Sequence, residues 1–429
     1  MKRFTWNVLS VVSLAVLSSR VEAQWPQFGG PHRNFVVDSK GLKDKWPDDG
    51  PKKLWSRDLG DGYATIVADG DLLFTMYRVG EDEFAVALDA KTGKTVWEHK
   101  NASPFTKEMA EFGPGPHTTP VVLGDRLYTI GTNAVMHCYE KKTGKVLWKH
   151  DLPADYNAPV PGRGYGVSPI AYKNSVIVIV DRKREEGAPG AEKKEDKPAP
   201  GQAQSLIAFD PETGSVLWKA QDFEMSYASP ILINFQGEDQ LVIFSGNELA
   251  GLNPTSGDLL WSQAHKTQFG ANLSSPLWNG KDTLFCSAAY DSGSRAVKLS
   301  KKDGKTVPEE LWFSKKMRLH HGNAVPIGDY VYGSSGDFGP AFFMGMKLST
   351  GEIAWRERGF SKSTCLLADG KLILLDEDGN LALATASPKE FKVLSKCKLT
   401  EKYSWAAPTL VGTKLYLRDR KVIMALDLG

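Results

Sequence analysis

Cysteine is scarce in this sequence, with four residues among 429, no adjacent pair and no Cys-x-x-Cys spacing. Cysteines scattered in this way do not form the dense framework that staples small secreted domains. Only Cys365 and Cys397 fall within one repeat unit of the kind described below. The predicted strands separate them by about 14 Å, which is too far for a disulfide. We therefore expect all four cysteines to be buried, apolar and free.

Long apolar runs and excess charge are also missing. The run at 6–17 follows Lys2 and Arg3 and precedes the small-x-small triplet at 21–23. It is shorter than the roughly 20 residues that cross a bilayer, and its features are those of a signal peptide. We expect residues 1–23 to be removed, with cleavage between Ala23 and Gln24.

Removal of residues 1–23 would take the formal net charge from +2 to zero. A chain without net charge offers neither nucleic acid nor anionic lipid an electrostatic attraction. The first cysteine is Cys138, so no lipid-bearing cysteine follows the apolar run. These features predict an exported protein, periplasmic or extracellular, that is not a lipoprotein.

Familiar catalytic signatures are absent as well: the chain has no glycine-rich phosphate loop and no nucleophile elbow. The acidic run at 376–380 lies between two apolar strands and lacks the later glutamate of a calcium loop, which favours an Asp-Gly hairpin. His320 and His321 are adjacent. On a strand they would point to opposite faces, which disfavours a shared metal. No metal site is therefore expected.

The sequence is instead rich in turn residues, with 41 glycines and 24 prolines, and one phrase recurs along it. An apolar strand leads into an Asp or another polar residue, then Thr-Gly or Ser-Gly, then a strand ending in tryptophan. The tryptophans stand at positions 55, 97, 148, 218, 261, 312 and 355, and Leu394 replaces the next one. In such a hairpin the polar side chain holds the turn and glycine supplies a positive φ. We expect the tryptophans to pack between repeats.

A second recurring phrase supplies two more strands, so each unit contains four strands, named A to D from the inside outwards. The last unit, 405–428, lacks strand D, and the segment at 51–55 can complete it. These features predict an all-β, eight-bladed β-propeller at 24–429, with four antiparallel strands per blade and the last blade closed by an N-terminal strand. The polar insertion at 183–204 is predicted to be a disordered loop between strands B and C of blade three.

The repeated phrase and the opening WPQFGGPHRNF (25–35) resemble the pyrroloquinoline-quinone (PQQ)-like propellers. These include quinoprotein alcohol dehydrogenases and the propeller lipoprotein of the outer-membrane β-barrel assembly machinery. The resemblance implies the fold but not an activity. The dehydrogenases carry adjacent cysteines over the cofactor and hold calcium with Glu, Asn and Asp. Neither set has a match in this sequence. We therefore expect no cofactor, and PQQ with calcium is the less favoured alternative.

In a propeller, the D–A and B–C connections share one face, which forms a funnel around the central channel. Residues entering strand A on this face include Tyr63 and Asn272 in addition to the candidates named next. The candidate ligand-binding residues are His117, Tyr165, Arg182, Tyr227, His321, Asp337, Trp405 and Arg418. Aromatic, basic and acidic side chains in one ring suit a binding mouth, although a polar rim without a ligand has the same composition.

We expect a monomeric, non-catalytic binding or scaffold protein of the cell envelope that acts through its funnel face. Its partner would be a protein, a peptide or a carbohydrate, and not nucleic acid. The first alternative is a PQQ-dependent oxidoreductase. The second is another propeller enzyme, such as a lyase or hydrolase, in which His117 or His321 works beside Asp337.

Overall fold

The computed structural model describes residues 24–111, 113–181, 204–267, 269–337, 339–401 and 403–429. The predicted signal peptide lies outside these residues, as do Arg182 and all of the predicted insertion except Gln204. Among the described residues, no helix is long and apolar enough to span a membrane.

The described strands form eight sheets arranged as an eight-bladed propeller. Two strands precede the first blade: β1 (Val36–Val37) and β2 (Lys52–Asp58). Blades one to four consist of β3 (Val67–Asp69), β4 (Leu72–Val79), β5 (Asp82–Asp89), β6 (Thr95–Ala102); β7 (Val121–Leu123), β8 (Arg126–Ile130), β9 (Val135–Glu140), β10 (Val146–Asp151); β11 (Ile170–Tyr172), β12 (Ser175–Ile179), β13 (Leu206–Phe209), β14 (Val216–Ala220); and β15 (Ile231–Phe235), β16 (Glu238–Phe244), β17 (Glu248–Leu252), β18 (Leu259–Ala264). The helix α1 (Leu152–Tyr156) follows β10 and is capped by Asp151.

Blades five to eight complete the ring. They consist of β19 (Leu277–Trp278), β20 (Thr283–Ala288), β21 (Gly293–Lys302), β22 (Lys305–Ser314); β23 (Ala324–Ile327), β24 (Tyr330–Ser335), β25 (Phe342–Lys347), β26 (Ile353–Arg358); β27 (Thr364–Ala368), β28 (Lys371–Leu375), β29 (Asn380–Ala386), β30 (Phe391–Lys398); and β31 (Thr409–Val411), β32 (Lys414–Arg418), β33 (Val422–Asp427).

The ring closes as the sequence predicts. Strand β2 pairs antiparallel with β33, with Lys52 opposite Asp427 and Trp55 opposite Ala425. It therefore supplies the outermost strand of blade eight, and the sheet order β2-β33-β32-β31 leaves no gap in that blade. Closure matters because an unpaired strand edge is a template for aggregation.

The repeated tryptophans pack between blades, which confirms their predicted role. The Trp97 Nε1 donates to the carbonyl of Lys141 in the next blade at 2.9 Å, and Trp148 reaches Pro211 in the same way at 3.2 Å. A Cβ on Gly144 would stand 2.5 Å from the Trp97 ring. Glycine in the Thr-Gly turn thus provides the positive φ and also the surface on which the neighbouring tryptophan lies.

The innermost strands are joined to each other by side-chain hydrogen bonds around the channel. Ser168 Oγ accepts from the backbone N–H of Thr119 at 2.9 Å, and Ser229 Oγ accepts from that of Ser168 at 3.0 Å. Asn323 exchanges two 2.9 Å hydrogen bonds with the backbone of Cys365. These contacts fix the positions of the innermost strands that they join, and with them the residues at the channel mouth.

The four cysteines are buried and free, as expected. Cys365 lies on β27, the innermost strand of the four that form blade seven, and Cys397 lies on β30, the outermost. The acidic run at 376–380 forms the predicted hairpin between β28 and β29. There Asp376 accepts from the backbone N–H groups of Asp378 and Asn380.

The segment at 25–37, hereafter the N-terminal segment, crosses the channel end opposite the funnel, a role that the sequence did not indicate. It contacts the innermost strands of four blades through Ala68, Val122, Ala171 and Leu367. Strand β1 within it runs parallel to β27. Trp25 and Phe35 are almost fully buried in these contacts.

Candidate functional site

Eight equivalent positions surround the channel mouth. Ala68, Val122, Ala171 and Leu367 occupy equivalent positions on the innermost strands of blades one, two, three and seven. The same position in blades four, five, six and eight is held by Leu232, Trp278, Pro326 and Leu410. In each blade the residue at the mouth lies five positions earlier in the sequence. We call these residues the mouth ring: Tyr63, His117, Gly166, Tyr227, Leu273, His321, Lys362 and Trp405. Aromatic rings or imidazoles occupy five of the eight positions.

These aromatic side chains stack on each other across blade boundaries. The rings of Tyr63 and His117 are 5.4 Å apart and within 3° of parallel. Tyr63 also contacts Trp405 at 5.3 Å, and Trp405 stacks on His321 at 4.0 Å and 8°. Rings from blades two, one, eight and six therefore form one continuous aromatic surface, which provides broad and rigid contact area.

Lys362 is the mouth-ring residue of blade seven, and the sequence analysis missed it. Its Nζ lies 3.2 Å from Glu377 Oε2 and 6.0 Å from the Trp405 ring. Glu377 also accepts hydrogen bonds from Trp405 Nε1 and Ser361 Oγ. Burial opposes ionisation of Glu377, but the Ser361 hydrogen bond and the Lys362 charge hold its pKa below the usual value. The mouth thus carries a fixed ion pair beside the aromatic surface.

The backbone of Lys362 has a φ of 44°, and Tyr290, which lines the mouth from the B–C loop of blade five, has a φ of 54°. Residues with side chains rarely adopt this left-handed region, and such strain concentrates at functional sites. Asp337 Oδ2 accepts from the Tyr290 backbone N–H at 3.0 Å and so supports the strained loop.

His320 and His321 lie side by side, with ring centroids 4.1 Å apart. The inference that they face opposite sides does not hold, because both precede β23 and are not part of a strand. His320 Nε2 is 2.7 Å from the hydroxyl of Tyr290. His320 thus contacts Tyr290, whereas His321 stacks on Trp405 and belongs to the aromatic stack of the mouth ring.

Burial lowers the pKa of His117 and of His320 to about 4, and the pKa of His321 lies well below its ordinary value for the same reason. All three imidazoles are neutral at pH 7. The charges of Asp337 and Glu377 partly oppose the lowering of the His320 pKa. The acid–base pairing of Asp337 with His117 or His321 stays a prediction.

The outer rim of the mouth is exposed. Phe269 is 64% exposed and contacts Tyr290 edge to face at 5.4 Å. Arg163 is also exposed and pairs with Glu111 at 2.7 Å. An apolar ring in solvent next to charged groups is the composition of a surface that recognises a partner.

The predicted site residues separate into two groups. His117, Tyr227, His321 and Trp405 belong to the mouth ring, whereas Tyr165 and Arg418 have structural roles. Tyr165 is 2% exposed, and its hydroxyl donates to the carbonyl of Ile179 at 2.6 Å.

Arg418 is 1% exposed. Its guanidinium donates to the backbone carbonyls of Met76, Gly60, Arg420 and Asp419. It therefore fastens blade eight to blade one and cannot bind a ligand carboxylate from this position. Arg182 lies outside the described residues, and Asp337 supports the Tyr290 loop as described above.

Comparison with known proteins places the fold in a family. Residues 81–357 match the model of the PQQ-repeat family described as outer membrane protein assembly factor BamB. The chain belongs to this family. A quinoprotein ethanol dehydrogenase of Pseudomonas aeruginosa is 26% identical over 170 residues, which is 38% of this chain and 24% of the dehydrogenase. The chain thus spans about a quarter of the length of the curated relatives that it matches.

Solved structures show the fold of this PQQ-repeat protein and nothing finer. A quinohemoprotein alcohol dehydrogenase from Pseudomonas putida HK5 aligns with a TM-score of 0.54 at 12% identity, over 95% of this chain and 80% of the dehydrogenase. The computationally designed Ika8 protein gives the same TM-score and identity, over 87% of this chain and 99% of its own. A designed propeller and an enzyme match equally well, so the likeness does not select an activity.

The residues at this mouth do not match a PQQ and calcium site of the kind that the dehydrogenases hold. The cysteines are on separate blades or on opposite edges of one blade, so none can cover a cofactor as an adjacent pair. Trp405 already contacts the rings of His321, Tyr63 and Tyr403. Within the described residues, no three His, Cys, Asp or Glu side chains cluster in a way that could hold a metal.

Proposed function

We propose that this PQQ-repeat propeller is a non-catalytic binding or scaffold protein, exported to the cell envelope, that holds a protein, peptide or carbohydrate at its mouth ring. The observation that carries the proposal is the continuous stack from His117 through Tyr63 and Trp405 to His321. Stacked rings supply contact area at little cost in side-chain entropy, because their neighbours already hold them in place.

Charge and exposure around the stack support the same proposal. The Lys362–Glu377 ion pair and exposed Arg163 offer polar contacts, and Phe269 offers an apolar one. A rigid aromatic centre with a polar rim is the common anatomy of a recognition surface. His117 and His321 stack on Tyr63 and Trp405, and burial lowers the pKa of both histidines, which supports a packing role for them rather than a general-base role.

The proposal is tested with the purified protein on peptide and glycan arrays, followed by calorimetric titration of the ligands found. A Tyr227→Ala/Trp405→Ala variant should weaken binding by about 2–4 kcal/mol, as loss of interface anchors does. A Lys94→Ala/Lys145→Ala variant changes two hairpin turns on the opposite face and should bind normally. Affinity that follows the turn lysines and ignores the mouth ring would refute the proposal.

The partial match to quinoprotein ethanol dehydrogenase favours a second candidate, a PQQ-dependent oxidoreductase. Mixing the protein with PQQ and calcium distinguishes the two. The binding proposal predicts no stoichiometric quinone absorbance after desalting, and no reduction of an artificial dye with ethanol. Stoichiometric quinone with dye turnover would establish the oxidoreductase instead.

The 2.7 Å contact between His320 and Tyr290 favours a third candidate, an enzyme such as a lyase, in which one of these two groups takes a proton from the bound ligand and the other returns a proton to it. If this candidate were correct, Tyr290→Phe would abolish turnover of the ligand and leave its affinity nearly unchanged. The binding proposal predicts that the ligand is recovered chemically intact from the wild-type protein after prolonged incubation.

A further inference from the structure

A cavity lies at the channel end opposite the funnel. The N-terminal segment covers the innermost strand ends of blades one, two, three and seven, as described above. The corresponding residues of blades four, five and six are Leu232, Trp278 and Pro326, and these line a cavity of about 220 Å³ together with Arg33. The segment therefore closes most of this channel end and leaves a defined space over three blades.

Arg33 is the only lysine or arginine among the described residues that line this cavity, and no acidic side chain is among them. Its guanidinium makes one hydrogen bond, from Nη2 to the carbonyl of Ala171 at 2.9 Å. The Nε is buried and has no hydrogen-bond partner. Arginine in proteins commonly pairs with a carboxylate through its planar fork, and an unpaired N–H in a buried place is costly.

The backbone around Arg33 is built to hold it there. Arg33 and Phe35 both have positive φ values, 56° and 59°. A Cβ on Gly29 would stand 2.8 Å from the Arg33 backbone, so the tight loop requires glycine at that position. The Phe35 N–H donates to the Gly29 carbonyl at 2.9 Å and closes the loop. A strained loop that places an arginine beside a cavity supports a functional role for that arginine.

We propose that this cavity binds a small monocarboxylate with an apolar or aromatic body. The carboxylate would accept hydrogen bonds from Arg33, which lacks any other acidic partner among the described residues. The body would lie against Trp278, Ile231 and Leu232. An apolar cavity of roughly 150 Å³ is enough to hold benzene, so the space here accommodates a substituted ring of similar size.

Benzoate is the probe, measured by ligand-observed NMR and calorimetry at pH 7. Wild-type protein should bind it saturably at one site, and Arg33→Gln should weaken binding at least tenfold. Arg33→Lys keeps the charge without the fork and should fall between the two. Ile231→Phe fills the cavity and should also abolish binding. Benzamide has the same shape without the charge and should bind at least tenfold more weakly than benzoate.

Arg126→Gln is the matched control, because Arg126 is on the same channel end but is paired with Glu212. It should bind benzoate normally, as should the Tyr227→Ala/Trp405→Ala variant, so this test is independent of the mouth-ring proposal. Thermal melting identifies any variant that fails to fold. If Ile231→Phe fails to fold, the Arg33→Lys variant still tests the proposal. The proposal would be overturned if benzoate binding did not saturate, or if benzamide bound as tightly as benzoate. It would also be overturned if inorganic phosphate bound more tightly than benzoate, or if Arg33→Gln left the affinity for benzoate unchanged.

Discussion

Among single residues, the glycines of the hairpin turns connect the sequence repeat with the packing between blades. The sequence identifies them through the Thr-Gly pairs, and the structure adds that each supports a tryptophan of the preceding blade. Gly144 has a φ of 73°, and a Cβ there would stand 2.5 Å from the Trp97 ring. Gly124 has a φ of 59° and open space around it.

These two glycines separate backbone strain from packing. Gly144→Ala should lower the free energy of unfolding by about 2–4 kcal/mol, because it adds a collision with Trp97 to the cost of a positive φ. Gly124→Ala should lower it by about 1 kcal/mol, from backbone strain alone. Urea denaturation measures both. Equal losses in the two variants would show that the tryptophan contact contributes nothing.

Buried histidines make stability depend on pH. Burial, with a smaller effect of Arg295, lowers the pKa of His265 to about 4, and burial lowers that of His137 to about 4. In the unfolded chain both titrate near 6.5. Between these values the unfolded chain binds more protons than the folded protein, so the free energy of unfolding must fall as pH decreases from about 6.5 to 4.

Denaturation curves between pH 7.5 and 4 measure this dependence. The His265→Asn variant should have a shallower loss of stability below pH 6.5 than wild type, whatever its stability at pH 7.5. Wild-type curves measured over the same pH range are the reference. An unaltered slope in the His265 variant would mean that the pKa of this histidine is the same in the folded and unfolded states, so that burial does not lower it.

Residue-level prediction of the mouth ring succeeded where an aromatic or histidine stood at the right register. It failed in blades three and five, where Tyr165 and Asn272 were chosen next to the true positions, Gly166 and Leu273. The signal was present, because the mouth residue lies three positions before a proline in both blades. Lys362 was missed because blade seven has a cysteine in place of that proline.

At the scale of elements, the N-terminal region has two roles that the sequence did not separate. Strand β2 completes blade eight, and this was predicted from the missing fourth strand. The N-terminal segment closes the far channel end, and nothing in its composition indicated this. Several of its contacts are backbone hydrogen bonds to the innermost strands, which leave no pattern in the side chains.

Two deletions distinguish these roles. Deletion of 24–50 removes the N-terminal segment and keeps β2, so it should lower the melting temperature but leave a soluble monomer. Deletion of 24–58 also removes β2 and exposes the edge of β33, so it should aggregate. Size-exclusion chromatography and thermal melting compare the two. A monomeric and equally stable 24–58 deletion would show that β2 does not close the ring.

For the whole molecule, the sequence repeat alone predicts the eight-bladed architecture, because periodic tryptophans and turns constrain every blade in the same way. The site was less predictable. It depends on loops such as the one carrying Tyr290, where a strained backbone is held by Asp337 from the neighbouring blade. Contacts between loops of different repeats have no signature within one repeat.

We have proposed that this PQQ-repeat protein binds a partner at its mouth ring. The most direct measurement is photo-crosslinking in cells that produce the protein, with a photoreactive residue in place of Phe269 at the mouth or of Leu217, which is 50% exposed on the outer strand of blade three. The account predicts a discrete adduct from position 269 that disappears in the Tyr227→Ala/Trp405→Ala background, and no adduct from position 217. Absence of an adduct at 269, or one equally strong from 217, would contradict it.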